Sequence, residues 1–265
     1  LEIDLTKITG TGRNSRITKD DLKNFIHSTK QTGFTSQLPQ ASDFEKFGSF
    51  EVQKLSKIRA LGAKNLASAW TSIPHVTHFE EIDISKINNL RKVSKLSPLS
   101  YIVKCIANNL LEFREFNSSL LQNDEILLKN YINMGIAVDT PNGLLVPVIK
   151  DANQLSVEEI NSTIKKLAEK AINKKLLSKD LIGATFTVSS LGKIGGIGFT
   201  PIINAPEVAI IGVSRTKKVL KMQGEKIEEV DILPISLSYD HRVINGADAG
   251  RFMDKLKNLI ENYSE

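Results

Sequence analysis

Strand-like and helix-like apolar segments alternate from about residue 45 to the C-terminus, and this alternation constrains the fold more than any other feature. Such a pattern favours helices packed on a sheet. The alternation lacks a strict strand–helix–strand rhythm, so a mixed-sheet α/β architecture is favoured over a parallel barrel. A domain of roughly 220 residues can bury about 70% of its unfolded surface, which is enough for its own core.

The predicted helices carry apolar residues three and four positions apart, and the predicted strands are short apolar runs bounded by turn residues. The helices cover residues 51–70, 97–113, 157–177 and 247–263. The strands cover residues 74–85, 126–129, 132–138, 144–149, 184–189, 208–214 and 232–239. A turn is predicted at 139–143 and a glycine-rich bend at 192–198.

The front of the chain, residues 1–28, predicts one small unit. Thr18 begins a helix there, after the turn signal Gly-Thr-Gly-Arg at 10–13, and Leu22, Phe25 and Ile26 form its apolar face. One short helix cannot bury enough surface to fold alone. We therefore expect residues 1 to about 43 to be loosely held. Residues 29–44, rich in Ser, Thr and Gln, are typical of a linker.

Composition excludes several classes of protein. The 35 basic and 30 acidic side chains are mixed along the chain, so a net charge of +5 indicates no nucleic-acid partner. The single cysteine, Cys105, permits no intrachain disulfide, fits a reducing compartment and is expected in the core. No apolar run is long enough for a membrane span, and no secretory signal begins the chain. Without an initiator methionine, the chain is expected to be a fragment of a longer one.

The four histidines do not predict a metal site. His75 and His78 lie three positions apart in a predicted strand, so they face opposite sides and cannot both bind one metal ion. No cysteine stands near them, which argues against zinc. His27, at the end of the small front helix, is expected to be exposed.

His241 has a more suggestive position, at the end of a predicted strand and just before Asn245-Gly246, which turns the chain into the last helix. An imidazole titrating near neutrality can take and return a proton, and a polar side chain four residues on could orient it. Spacing alone does not separate this role from that of a histidine that only forms a hydrogen bond at a strand end.

Ser189 and Ser190 end another predicted strand. A hydroxyl there could donate to a developing oxyanion, or could simply cap a turn. The bend at 192–198 does not fit the phosphate-binding pattern G-x-x-x-x-G-K-[ST], and no predicted helix follows it.

Five separated segments together resemble the catalytic domain of the lipoamide acyltransferases of 2-oxo-acid dehydrogenase complexes, in order and in spacing. They are Ile-Pro-His-Val-Thr-His-Phe at 73–79, Gly-Ile-Ala-Val-Asp-Thr-Pro-Asn-Gly-Leu-Leu-Val-Pro-Val at 135–148, Phe-Thr-Val-Ser-Ser-Leu-Gly at 186–192, Asn-Ala-Pro-Glu-Val-Ala-Ile-Ile-Gly-Val at 204–213 and Asp-His-Arg-Val-Ile-Asn-Gly-Ala-Asp at 240–248. The match covers about residues 45–263. Residues 5–22 resemble the second half of the peripheral-subunit-binding domain found upstream in the same family.

The resemblance implies an α/β fold, a chloramphenicol-acetyltransferase-like two-layer sandwich with a mixed sheet, preceded by a partial peripheral-subunit-binding domain. The expected domains are 1–28 for that module, 29–44 for the linker and 45–265 for the acyltransferase. Members of the family form trimers that build larger cubic or icosahedral cores, with the active site in a channel between subunits. The same self-association is expected here.

The resemblance also implies the roles of site residues. His241 matches the general base that takes the thiol proton of coenzyme A, and Ser189 matches the serine that binds the tetrahedral oxyanion. Asn245 stands where the family usually has Asp and is expected to hold geometry. Contacts with coenzyme A are expected from Phe199, Thr200, Leu191 and Gly192. Coenzyme A is expected as a substrate, the lipoyl group sits on a separate domain absent from this chain, and no metal is expected.

The implied reaction is acetyl transfer between dihydrolipoamide and coenzyme A in the core of a pyruvate dehydrogenase complex. The front module, through Arg16, implies dihydrolipoamide dehydrogenase and pyruvate decarboxylase subunits as partners. The expected location is the cytoplasm of a bacterium, or the mitochondrial matrix of a eukaryote. Asn245 leaves open a non-catalytic scaffold of the same complex. A stand-alone acetyltransferase acting on a small molecule, such as an antibiotic, is opposed by the front module and linker.

Overall fold

The structure is a computed structural model that describes residues 8, 10–12, 16–23, 38–192, 194–224 and 226–264. The chain forms two compact units, Leu1–Lys54 and Leu55–Glu265. No helix among the described residues is both long enough and apolar enough to cross a membrane.

In the first unit, a helix begins directly after Thr18, as predicted. The carboxylate of Asp21 accepts hydrogen bonds from Thr11 and from the Thr18 backbone N–H, while the Thr18 hydroxyl accepts from the Asp21 N–H. These bonds, those from Thr11 first, hold the pKa of Asp21 far below its usual range. Phe25, Ile26 and His27 lie outside the described residues, as does much of the segment expected to be loosely held.

The second unit contains five α-helices and eleven strands among its described residues. The helices are α1 (Lys57–Ser72), α2 (Ser85–Ser94), α3 (Pro98–Glu112), α4 (Val157–Ile172) and α5 (Gly246–Glu261). The strands are β1 (His75–Asp83), β2 (Ser118–Leu120), β3 (Ile126–Leu128), β4 (Met134–Ile136), β5 (Val138–Thr140), β6 (Gly143–Leu145), β7 (Val148–Ile149), β8 (Phe186–Ser190), β9 (Ala209–Val213), β10 (Lys217–Gln223) and β11 (Lys226–Asp240).

Seven of these strands form one mixed sheet, which confirms the predicted mixed-sheet architecture. Its order is β1-β11-β9-β8-β4-β7, and β10 pairs with the first half of β11. The β9–β8 and β8–β4 pairs are parallel, and the other pairs are antiparallel. Two small antiparallel pairs, β2–β3 and β5–β6, lie outside this sheet.

The main core lies between one face of the sheet and helices α3, α4 and α5. Fully buried aromatic rings hold it together, and Phe252 of α5 stacks on Phe116 with ring centroids 4.2 Å apart. Cys105 is buried in this core, as expected, and burial raises the pKa of its thiol to about 12. Because side chains alternate along a strand, Phe186 and Val188 of β8 face this core, and Thr187 and Ser189 face the opposite side.

Several predicted boundaries are wrong. Helix α1 begins at Lys57 rather than at residue 51, because the Ser56 hydroxyl caps it by accepting from the Arg59 N–H. The helix predicted at 157–177 ends at Ile172. The strand predicted at 132–138 is two strands, β4 and β5, in different sheets. The strand predicted at 144–149 is interrupted at Pro147, which cannot donate to a ladder.

Helix α2, strands β2 and β10 and the first half of β11 were not predicted. Strands β10 and β11 form a ribbon there with exposed charged and apolar side chains in mixed order, which hides the period-two pattern. The turn predicted at 139–143 is the tight connection between β5 and β6. The described part of the segment 192–198 is a glycine-rich bend, as predicted.

Candidate active site

A cavity of about 400 Å³ opens on the face of the sheet opposite the main core. Its walls come from α1, from β6 and the residues beside it, from β8 and β9, and from the segment between those two strands. The lining residues are Asn65, Leu66, Ser68, Ala69, Ser72, Ala137, Leu144, Val146, Thr187, Ser189, Phe199, Pro201, Ile202, Ile203, Asn204, Ala205 and Ile210. The predicted candidates Ser189 and Phe199 therefore share one cavity.

Ser189 is the serine of β8 that faces this cavity. It is half-buried, and its hydroxyl makes no hydrogen bond with another described residue, so it is available to a bound molecule. Ser190 points to the other side of the strand and is exposed. Position in the strand alone left these two serines equivalent, whereas the resemblance pointed to Ser189, which is the one that faces the cavity.

Phe199 sits over β9 because that strand has a glycine at the contact. A Cβ at Gly212 would lie 2.7 Å from Cζ of Phe199 and 2.5 Å from the Ser236 hydroxyl oxygen, so no side chain fits there. Gly212 pairs with Ser189 across the sheet. The other residues expected to contact coenzyme A, Thr200, Leu191 and Gly192, are not on the cavity wall, and Thr200 is exposed.

His241 follows the last residue of β11. The backbone N–H of His241 donates to the Pro74 carbonyl at 3.1 Å. The neighbouring residue Asp240 is buried, and its carboxylate accepts two hydrogen bonds from the Arg242 guanidinium. The backbone is therefore fixed on both sides of the histidine. The ring itself is exposed, with its centroid 6.0 Å from that of Tyr239, and forms no hydrogen bond with a described residue.

One chain does not bring Ser189 and His241 together. Ser189 pairs with Gly212 and Gly212 with Ser236, so Ser189 lies two strands from β11 at the level of Ser236. His241 is five residues beyond Ser236. At about 3.3 Å per residue and about 4.8 Å between strands, the two Cα atoms lie roughly 19 Å apart. This distance is too great for both side chains to act on one reacting atom.

Asn245 is the N-cap of helix α5. Its side-chain oxygen accepts from the Asp248 N–H at 2.9 Å, and its amide nitrogen can still donate to other groups. The residue is exposed, like His241. Its position therefore explains how the last helix starts, and no described residue bonds to its amide nitrogen.

A buried acid, Glu207, lies behind the cavity wall and was not among the site residues predicted from the sequence. One carboxyl oxygen of Glu207, Oε1, accepts from the Thr187 hydroxyl and from the Asn204 amide, each at 2.8 Å. The other oxygen, Oε2, is buried and has no partner among the described residues. Burial raises the pKa of Glu207 to about 7.

Lys129 is a buried cation whose positive charge opposes the rise in the pKa of Glu207. Its ammonium donates to the Ser118 carbonyl and the Ser119 hydroxyl, both at 2.8 Å, and burial lowers its pKa. A charged residue inside the apolar run 204–213 is the signal that could have marked Glu207 in the sequence.

His75 connects the start of β1 to the cavity wall. Its Nδ1 lies 2.9 Å from the Ile73 carbonyl, which can only accept, so Nδ1 carries the proton. Its Nε2 then accepts from the Ile203 N–H at 3.0 Å, and the ring lies 5.5 Å from that of Trp70. His75 is therefore a structural histidine of this wall. Among the described residues, no group of three or more His, Cys, Asp or Glu could hold a metal ion.

Comparison with known proteins places this site in a family. Residues 47–265 match the family model described as 2-oxoacid dehydrogenases acyltransferase (catalytic domain). The dihydrolipoyllysine-residue acetyltransferase component of the pyruvate dehydrogenase complex of Haemophilus influenzae is 39% identical, over 97% of this chain and 51% of that protein. The chain thus spans about half the length of the curated relatives it matches.

Solved structures of the same family also resemble this chain. The dihydrolipoamide acetyltransferase of Azotobacter vinelandii, studied for the role of one serine, one histidine and one asparagine in its catalytic mechanism, is 43% identical with a TM-score of 0.82, covering 85% of this chain and 96% of that one. A cubic core of the pyruvate dehydrogenase multienzyme complex matches with the same values.

A chloramphenicol acetyltransferase is 11% identical, with a TM-score of 0.52 over 74% of this chain and 94% of that one. At that identity the likeness concerns the fold alone, and it confirms the predicted fold class. Family model, relatives and structures all point the same way: the chain belongs to the 2-oxoacid dehydrogenase acyltransferase family and matches its catalytic domain.

Proposed function

We propose that this chain transfers an acetyl group between a dihydrolipoyl thiol and coenzyme A, using His241, Ser189 and Asn245. One observation carries the proposal. In the Azotobacter vinelandii enzyme the three catalytic residues under study are a serine, a histidine 52 positions later and an asparagine four positions after that, and Ser189, His241 and Asn245 have the same order and spacing.

The proposed chemistry needs only these side chains and the two thiols. The neutral imidazole of His241 takes the thiol proton of coenzyme A, and the thiolate attacks the carbonyl carbon of the acetyl thioester. The Ser189 hydroxyl donates to the oxyanion of the tetrahedral intermediate. When that intermediate collapses, the carbon–sulfur bond to the dihydrolipoyl group breaks, and the leaving sulfur receives the proton from the imidazolium.

Two subunits form this site in the proposal. The separation of roughly 19 Å between Ser189 and His241 in one chain, from strand geometry, requires His241 of one copy to reach the cavity of another. The exposed ring of His241 supports this arrangement. The likeness to a cubic core supports self-association into trimers and a larger assembly.

The cavity suits the thiol-bearing arm of each substrate. At about 400 Å³, with mostly apolar walls and a few polar groups, it can hold a narrow chain and exclude water from the thioester. The acetyl group is proposed because the relatives named above are acetyltransferase components of pyruvate dehydrogenase complexes. The lipoyl group would come from a separate domain. Partner enzymes would bind through the front module that contains Arg16.

Mixing two defective variants tests the chemistry and the shared site together. His241→Ala alone should abolish acetyl transfer from acetyl-CoA to dihydrolipoamide, and Ser189→Ala alone should lower turnover by roughly 10²-fold. When the two are dissociated, mixed in equal amounts and reassembled, some sites receive both intact residues. In random assembly about a quarter of the sites do, so about a quarter of parental activity should return.

Four outcomes would count against the proposal. Near-parental rates in His241→Ala would refute the mechanism. An active monomer, or no recovery on mixing, would refute the shared site. A parent that assembles but transfers no acyl group would instead support the scaffold alternative raised by Asn245. Parallel assays with succinyl-CoA and isobutyryl-CoA would measure acyl selectivity.

A further inference from the structure

Two polar residues of the cavity wall are oriented by one buried carboxyl group. Thr187 and Asn204 both line the cavity, and both donate to Oε1 of Glu207, each at 2.8 Å. Thr187 stands two residues before Ser189 on the same side of β8, so this group lies directly beside the proposed oxyanion donor. A Cβ at Gly135 would lie 2.6 Å from the Thr187 hydroxyl, so that hydroxyl is tightly enclosed.

In these contacts the Thr187 hydroxyl and the Asn204 side-chain nitrogen both donate to Glu207, so the groups that they leave for a bound molecule are mainly acceptors. The side-chain nitrogen of Asn204 is turned to Glu207, and its side-chain oxygen has no donor among the described residues. An ionised carboxylate only accepts, so it fixes which end of the amide faces it. The Asn204 oxygen is thereby available to a molecule in the cavity that brings a donor of its own.

We propose that Glu207 is a positioning residue that turns the side-chain oxygen of Asn204 toward the cavity, where it accepts a hydrogen bond from an amide N–H of a substrate's thiol arm. This inference rests on the proposed function. Both substrates offer such a group: dihydrolipoamide ends in an amide, and the pantetheine arm of coenzyme A contains two. The shared chemistry is a flexible, uncharged arm with an amide donor.

The charge of Glu207 makes the arrangement sensitive to pH. Because burial raises the pKa of this carboxyl to about 7, it changes charge near neutrality. A protonated carboxyl can donate, so Asn204 can then turn its oxygen to Glu207 and its nitrogen to the cavity. Lys129 is the charged group among the described residues that acts on Glu207, and it favours the ionised form.

The first test compares substrates that have an amide N–H with analogues that lack it. Dihydrolipoamide is compared with the methyl ester of dihydrolipoic acid, and acetyl-CoA with an acetyl thioester that has no amide. In the parent, KM should be lower for the amide-bearing substrate than for its analogue in at least one pair. In Asn204→Ala this preference should fall roughly fivefold, which corresponds to the loss of about 1 kcal/mol for one hydrogen bond, with kcat changed less than KM. The pair that responds identifies the arm.

Asn89→Ala, which removes an exposed amide on α2, is the matched control and should keep the parental preference. The second test varies pH. The parental preference should weaken as pH falls from 8 to 6, and in Glu207→Gln, whose side chain does not titrate, it should stay constant over that range.

Calorimetric titration of dihydrolipoamide and its ester analogue repeats the comparison without turnover. Circular dichroism and light scattering check that each variant folds and assembles. An unchanged preference in Asn204→Ala for both pairs would overturn the inference, as would the same pH dependence in Glu207→Gln and the parent. A parent without turnover would overturn the proposed function instead, and the titrations would still decide the amide preference.

Discussion

Replacing Glu207 by Gln should stabilise the fold at alkaline pH and have little effect at acid pH. The pKa of this carboxyl rises from 4.5 to about 7 in the fold, so the folded state favours the protonated form. The stability that this contributes is fully present below about pH 4.5 and is lost as pH rises through about 7. The difference corresponds to about 3 kcal/mol. Gln stays neutral throughout, so the variant should gain up to about 3 kcal/mol over the parent at pH 8.

Guanidinium denaturation at one chain concentration, followed by circular dichroism at pH 5 and pH 8, measures this difference. The gain must exceed the cost of leaving the Lys129 ammonium without its acidic neighbour, and the two hydrogen bonds that Lys129 keeps to Ser118 and Ser119 limit that cost. Exposed Glu228→Gln is the matched control, and its stability should match that of the parent at each of the two pH values. A Glu207→Gln variant that is no more stable than the parent at pH 8 would contradict the reasoning.

Further predictions concern four other positions. Ser189→Ala should lower kcat roughly 10²-fold with little change in KM, as steady-state kinetics would show, and an equal rise in KM would contradict an oxyanion role. Asn245→Asp keeps a helix cap and should retain much activity, whereas Asn245→Ala should lose most of it and about 1 kcal/mol of stability in denaturation. His75→Ala leaves the Ile203 N–H without an acceptor and should cost about 1–3 kcal/mol, again by denaturation. Titration with dihydrolipoamide dehydrogenase should show weak, salt-sensitive binding that Arg16→Ala weakens further, and tight binding would show that the partial module suffices.

The parts of the fold that could be predicted are those whose periodicity comes from burial on one face. Strands β8 and β9 and helices α3 and α5 line the main core, and their apolar patterns are clear in the sequence. Helix α2 and the β10–β11 ribbon present mixed charged and apolar side chains to solvent, so neither period stands out. The split of 132–138 arises because β4 pairs with β7 and β8 whereas β5 pairs with β6, and periodicity does not encode these partners.

His241 at a strand end and Ser189 before a glycine-rich bend are candidates by residue type and position alone. Their catalytic roles came only from the family resemblance, because position alone also fits a strand-end hydrogen bond or a turn cap. Glu207, Thr187 and Asn204 act through contacts across the fold, and in the sequence they are one acid, one hydroxyl and one amide among many. Leu191 and Gly192 were expected to contact coenzyme A from the resemblance alone, and neither lies on the wall of this cavity.

The exposed histidine and the open cavity have one explanation in common. The backbone of His241 is fixed by the Pro74 carbonyl and by the buried Asp240–Arg242 pair, although its ring has no hydrogen-bond partner among the residues that the structure describes. This combination of a fixed backbone and a ring that forms no hydrogen bond with a described residue fits a ring that contacts another molecule better than one that only faces solvent. Docking of a second copy would supply the base to Ser189 and exclude water from the thioester in the same step. Under the proposed function, acyl transfer would then depend on assembly, since Ser189 and His241 of one site would come from different copies.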